Sequence, residues 1–132
     1  MAGPNAEDLT IMKGISTMEK AEMEAKIKEL IKMYAPEGTT FKWFKGTRRM
    51  GYCSFRYSVP LGKYTDFVVA VSTVVAKTGD WEKVRLVALH EIAHARNPEC
   101  DHERPWRWDC IAIGGDGQKY YNCPSASDPS KW

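Results

Sequence analysis

His90-Glu91-Ile92-Ala93-His94 constrains this chain more than any other stretch, because it sets two histidines four positions apart around a glutamate. On an α-helix, positions four apart lie on one face, a turn apart, so His90 and His94 can grip one metal ion. Glu91 lies beside the pair, able to reach a water near the metal without being a ligand. His102 follows shortly afterwards, so all three histidines of the chain fall in one short window.

The surroundings predict a buried helix. Leu86, Val87, Leu89, Ile92 and Ala93 make the segment apolar. Two imidazoles and a carboxylate there need partners, since each unsatisfied buried polar group costs a few kcal/mol. A metal ion satisfies both imidazoles at once. Two zinc-binding imidazoles with an adjacent carboxylate base form the zincin pattern.

The 132 residues suit one domain with a genuine core. Residues 16–122 are predicted to form it, with 1–15 a loose lead-in and 123–132 a Ser/Pro-containing tail. A net charge of +2 does not by itself select a nucleic-acid partner. The longest apolar stretch, Phe67 to Ala76, is about half the length needed to span a bilayer, so no membrane partner is expected. No basic start followed by an apolar run precedes Asp8, and the expected location is cytoplasmic, in the source cell or a host. Cys53, Cys100, Cys110 and Cys123 include no C-x-x-C pair and are expected to be reduced thiols.

Along the chain, Ser16 with Glu19 reads as a capping box opening a helix. Met23, Ile27, Leu30, Ile31 and Tyr34 recur at helical spacing until Pro36 and Gly38 stop it. Short strands are expected around Phe41–Phe44 and Tyr52–Tyr57, and a central one at Phe67–Val71. Asp80 is the expected N-cap of a metal helix from Trp81 to about Arg96. Pro105 opens another helix, Trp106 to Ile113, which Gly114-Gly115 stops, and an extended piece is expected near Lys119–Tyr121. The fold class is α+β: a small three-stranded antiparallel or mixed sheet packed by helices, one of them a zincin-like helix carrying H-E-x-x-H.

A catalytic zinc takes three protein ligands and keeps one position for water. His102 is favoured as the third. Cys100 follows, six residues after His94, where chains with H-E-x-x-H-x-x-G-x-x-H carry their third histidine. Here, however, Asn97 replaces the glycine and Pro98 restricts the path. Glu99 and Asp109 are carboxylate options. Tyr52, Tyr57, Tyr120 and Tyr121 could each offer a hydroxyl to a developing oxyanion.

The run His90-Glu91-Ile92-Ala93-His94-Ala95, then His102, Trp106 and Ile113-Gly114-Gly115, resembles the SprT-like (Spartan-type) zinc metalloprotease domain in its compact bacterial and phage versions. Arg49-Met50-Gly51-Tyr52-Cys53 and the apolar strand before the metal helix fit the same outline. The resemblance implies one Zn2+ ion on His90, His94 and His102, Glu91 as the base, and Trp106 packing behind the loop. It also implies a protein or peptide substrate associated with DNA, and the expected nucleic-acid partner is single-stranded more than double-stranded. The chain departs from the family in lacking a cysteine-rich zinc ribbon, and its Arg96–Cys100 loop is not rich in glycine and histidine.

From Lys42 to Arg56 the chain carries Lys42, Lys45, Arg48, Arg49 and Arg56 with no acid, interleaved with Trp43, Phe44, Tyr52 and Phe55. Such a strand could hold phosphates and stack bases, or it could be a solvated edge strand kept soluble by charge. The rival to an enzyme is a non-catalytic zinc module whose ion is closed by four ligands, His90, His94, Cys100 and His102.

Overall fold

The computed structural model describes residues 17–118, an α+β arrangement of four helices and a mixed three-stranded sheet. Helix α1, Lys20–Tyr34, buries Met23, Ile27 and Ile31, one residue per turn, against the core. Glu19 is its N-cap and makes no side-chain cap hydrogen bond, so the helix starts later than a capping box led by Ser16 would place it. Ser16 itself lies outside the described residues.

The strands follow as β1 (Thr40–Phe44), β2 (Gly51–Ser58) and β3 (Lys63–Ser72). The sheet order is β1-β3-β2, with β3 parallel to β1 and antiparallel to β2. The central place of β3 follows from its sequence. Phe67, Val69, Ala70 and Val71 are all buried, which only a strand paired on both sides and covered above it can achieve. Val69 aligns with Phe41 and Cys53, and Val71 with Trp43 and Gly51, so these residues share the face turned to the helices. A bulge interrupts the β2–β3 ladder between Ser54 and Arg56, where Asp66 takes a left-handed backbone with φ of 59°.

The apolar run after β3 does not continue as strand. Ser72 accepts a hydrogen bond from the Val74 amide at 3.1 Å and donates to the Gly46 carbonyl at 2.7 Å. It thereby caps a one-turn helix, α2 (Thr73–Ala76), that apolar content alone did not reveal. Gly79, at φ of 71°, turns the chain into α3, Trp81–Arg96. As expected, Asp80 is the cap, accepting from Glu82 N at 3.0 Å and Lys83 N at 3.4 Å.

Helix α3 is the axis of the molecule. Its central residues Val87 to Ala93 are all buried, between the sheet, α1 and the last helix α4, Arg104–Ala112. Pro105 sits in the first turn of α4, and Trp106 and Cys110 supply its buried side. No described helix is long and apolar enough to cross a membrane. The extended piece near Lys119–Tyr121 and the tail from 123 lie outside the described residues.

Candidate metal centre

His90 and His94 project one turn apart from α3, and His102 reaches them from the loop between α3 and α4. His102 Nε2 lies 3.1 Å from His90 Nε2 and 3.1 Å from His94 Nε2. Each Nε2 carries at most one proton, and three nitrogens converging this closely leave lone pairs facing one another. A cation at their centre removes that conflict. Tetrahedral zinc with Zn–N bonds of about 2.0–2.1 Å would hold neighbouring nitrogens about 3.3 Å apart, close to the spacing seen. The three side chains could therefore hold a metal ion of this size. Among the described residues this is the group of histidine, cysteine and carboxylate side chains gathered closely enough to hold a metal.

The remaining ligand candidates fall outside that group. Asp109 is occupied elsewhere: its Oδ2 accepts from Arg96 Nε at 2.6 Å and Asn97 Nδ2 at 3.0 Å. Burial pushes its carboxyl up, but these two donors outweigh burial and hold it below the ordinary aspartate range. Glu99 is exposed and outside the cluster, and Cys100 lines the same cavity without joining it.

Trp106 is the wall behind all three imidazoles. It is fully buried, stacks on His94 with ring centroids 5.3 Å apart, and meets His90 at 4.8 Å and His102 at 4.9 Å. Its indole N–H donates to the His90 carbonyl at 3.1 Å. One side chain from α4 thus fixes both the helix and the loop contribution. The loop itself is tied down by Asn97, whose Nδ2 also donates to Ala93 O at 2.8 Å, and by Arg96, which donates to Tyr34 O at 2.8 Å. Asp101 Oδ1 lies 3.5 Å from His102 Nδ1, on the side of that ring away from the cluster.

Glu91 is 1% exposed, and its Oε2 has no hydrogen-bond partner among the described residues. That oxygen lies 3.9 Å from His90 Nε2, so the carboxylate borders the cluster without entering it. Burial drives its pKa well above the ordinary glutamate range, and the nearby Arg49 charge opposes the rise. His94 is pushed the other way, down to about 4, by burial and then by the charge of His102, against Asp101. A neutral imidazole is the form that binds metal.

Backbone geometry explains how β2 comes so near. A Cβ on Gly51 would stand 2.8 Å from Val87 Cγ1, 2.9 Å from Ala70 O and 3.1 Å from Glu91 Cγ. The missing side chain lets the strand press against the helix at Glu91. Between them opens a cavity of about 230 Å³ floored by Glu91, His94 and His102. Tyr52, Cys53 and Phe55 of β2 form its opposite wall together with Arg49. Burial, then the negative charge of Glu91, pushes the Cys53 thiol up to about 12, so it stays a protonated, inert wall group.

The basic stretch of the sequence divides here. Lys42, Lys45, Arg48 and Arg56 are exposed, and Arg56 Nε pairs with Asp66 Oδ2 at 3.3 Å. Arg49 instead lines the cavity, its guanidinium 4.5 Å above the Tyr52 ring and 5.8 Å from Phe44. Of the tyrosines singled out above, Tyr52 reaches the cavity wall and Tyr57 packs on Tyr64 at 5.1 Å, while Tyr120 and Tyr121 lie outside the described residues. Gly51 and Cys53 had no role assigned beyond the family outline, and Phe55 none at this site, since strand pairing alone brings them to α3.

No protein-family profile, curated protein or solved structure matches the chain.

Proposed function

We propose that this protein is a one-zinc metallopeptidase of the zincin type. The observation that carries the reading is the convergence of three imidazole Nε2 atoms beside a buried carboxylate that is not part of their cluster. A bound zinc would supply Lewis acidity and bring the pKa of water towards neutrality. His90, His94 and His102 would hold it. Glu91 acts as general base, taking a proton from the attacking water and handing it to the leaving amine. Burial pushes this carboxyl up, the direction that makes it a stronger base for the proton it takes from water. Trp106 keeps the imidazoles in place, and the strand-walled cavity admits a peptide beside them.

The test is zinc analysis and peptide cleavage on native protein and Glu91→Gln. The expected result is bound zinc in both and cleavage only in native protein, with the rate in Glu91→Gln down by at least about 100-fold. Equal cleavage by the two proteins overturns the mechanism. The closed four-ligand alternative predicts thiolate charge-transfer bands in the cobalt-substituted protein; the proposed site predicts none, because Cys100 stands outside the cluster. Action on DNA-associated proteins is the part of the proposal that rests on the exposed Lys42, Lys45, Arg48 and Arg56, and it predicts single-stranded DNA binding that weakens steeply with salt.

A further inference from the structure

The strand that walls the metal cavity does not end with it. Phe55 of β2 lines the cavity, and the strand runs on to Ser58. Beyond the bulge, Tyr57 stands directly opposite Tyr64 of β3, so their side chains share one face of the hairpin. Tyr64 meets Tyr57 edge to face at 5.1 Å and Phe55 at 5.3 Å, and Phe55 meets Phe67 at 5.8 Å. These are the tilted and edge-on geometries that aromatic pairs favour. Four rings thus make a continuous ladder, rooted in the buried Phe67 and passing the metal cavity at Phe55. None of the four is part of the main apolar cluster around α3. The outer end of the ladder is bare: Tyr57 is 54% exposed, and Val59 and Leu61 in the adjoining turn are 79% and 64% exposed. Grouped exposure of large apolar side chains marks a binding surface, whereas single ones do not. A second cavity, of about 610 Å³, opens against Tyr64 and Phe67, with Pro36, Ala95 and Pro98 also lining it.

We propose that the Phe55–Tyr64–Tyr57 ladder is a substrate subsite that takes a large apolar or aromatic side chain of the peptide held at the metal. Two observations choose that occupant. The metal cavity, at about 230 Å³, is smaller than the roughly 300–1,000 Å³ of a pocket that encloses a small ligand. A peptide held there extends beyond it, and Phe55 is a wall of the cavity and a rung of the ladder at once. The ladder itself contains no lysine, arginine or carboxylate, and its rings reward apolar surface by burial and edge-to-face contact. At about 3.3 Å per extended residue, Tyr57 lies about 7 Å beyond Phe55, so the selected side chain sits within a few residues of the bond to be cut. The inference rests on the peptidase reading and adds a substrate class to it.

Calorimetric titration of Glu91→Gln protein in the presence of zinc tests it without turnover. Three heptapeptides of glycine, serine and alanine, acetylated and amidated at their ends, carry phenylalanine, alanine or aspartate at the central position. A central residue can reach the ladder whichever way the peptide runs. The phenylalanine peptide should bind about tenfold or more tightly than the alanine one, the scale of burying most of a ring. The aspartate peptide should bind no more tightly than the alanine one. Adding Tyr57→Ser should erase most of the preference, and Tyr57→Phe should keep it. Trp108→Ser, which removes another exposed ring on α4, should leave it unchanged. Zinc content and circular dichroism should be the same in all of these variants.

Equal binding of the phenylalanine and alanine peptides, no binding of any, or a preference that survives Tyr57→Ser overturns the inference. A preference that falls as far in Trp108→Ser overturns it too, since any exposed ring would then serve. So does a loss, in Tyr57→Ser, of self-association or of single-stranded DNA or vesicle binding without any peptide preference, which gives the rings to another occupant. Cleavage by the native protein separates this result from the broader one. Cleavage of the phenylalanine and alanine peptides at equal rates removes the subsite and leaves the peptidase intact. Absence of cleavage with zinc bound, alongside Tyr57-dependent binding of the phenylalanine peptide, removes the peptidase and leaves an apolar peptide site.

Discussion

The two halves of the histidine cradle are built by different means. His90 and His94 belong to a buried helix whose own backbone spaces them, and the sheet, α1 and α4 hold that helix from several sides. His102 stands on a loop between two helices. Its position depends on contacts across the ends of those two helices: Asn97 and Arg96 on Asp109, and Trp106 against all three rings. The helical half is a consequence of local periodicity. The loop half exists only once α3 and α4 have docked, so it is the part of the centre most open to loosening.

The sharpest way to break this comparison is to remove one histidine from each half. His90→Ala and His102→Ala should both lose zinc, by more than the 10- to 100-fold typical of supporting residues, as metal analysis after dialysis would show. Their metal-free forms should differ. His90 is fully buried, and its loss leaves a hole in the core, costing about 2–4 kcal/mol in urea unfolding. His102 lines the cavity with its side chain 10% exposed, so its loss should cost less than that of His90, about 1–2 kcal/mol. Equal destabilisation would mean that the loop is as integral to the core as the helix.

Trp106→Ala comes next in size. Truncating a fully buried indole costs about 3–5 kcal/mol and frees all three imidazoles at once. Trp106→Phe keeps a ring against the histidines but removes the donor to His90 O, and should cost about 1 kcal/mol while retaining zinc. Denaturant midpoints with parallel zinc analysis separate the two roles.

Asp109→Ala sharpens the comparison by touching the loop alone. Loss of the Arg96 and Asn97 contacts should cost about 1 kcal/mol, since the site is partly open to solvent, and should weaken zinc by about 10-fold. The pH dependence follows from the direction of the shift. Asp109 is held below its ordinary value, so its contribution is complete above the unfolded-state pKa and fades as pH falls through the lower folded-state value. Thermal melts of metal-free protein should therefore show native and Asp109→Ala converging in strong acid and fully separated above about pH 4.

What sequence could and could not reveal follows the same division. Helix α3, its Asp80 cap, the paired histidines and the central strand were legible because each rests on local chemistry: a cap residue, a 3.6-residue period, or a β-branched run. The choice of His102 over Cys100 and Asp109 was favoured by ligand chemistry, but its geometry depends on a loop held by contacts across the molecule. Helix α2 was missed because Val74-Val75-Ala76 continues the apolar character of β3, and only the Ser72 hydrogen bonds end the strand. The later start of α1 shows a capping signature outweighed by the chain's actual path. Arg49 was grouped with its basic neighbours because sequence proximity cannot say that one arginine turns to the cavity while the other four basic residues meet solvent.

Packing one indole against every imidazole of the centre also gives the molecule a lamp of its own. Trp106 is fully buried while Trp108, two positions on, is 63% exposed, so of the chain's five tryptophans these two should mark the blue and red sides of the emission. Filling the cradle would alter quenching of the blue component by the rings stacked on it and leave the red one still. Ion uptake could then be followed by ultraviolet light alone, without a dye or a label.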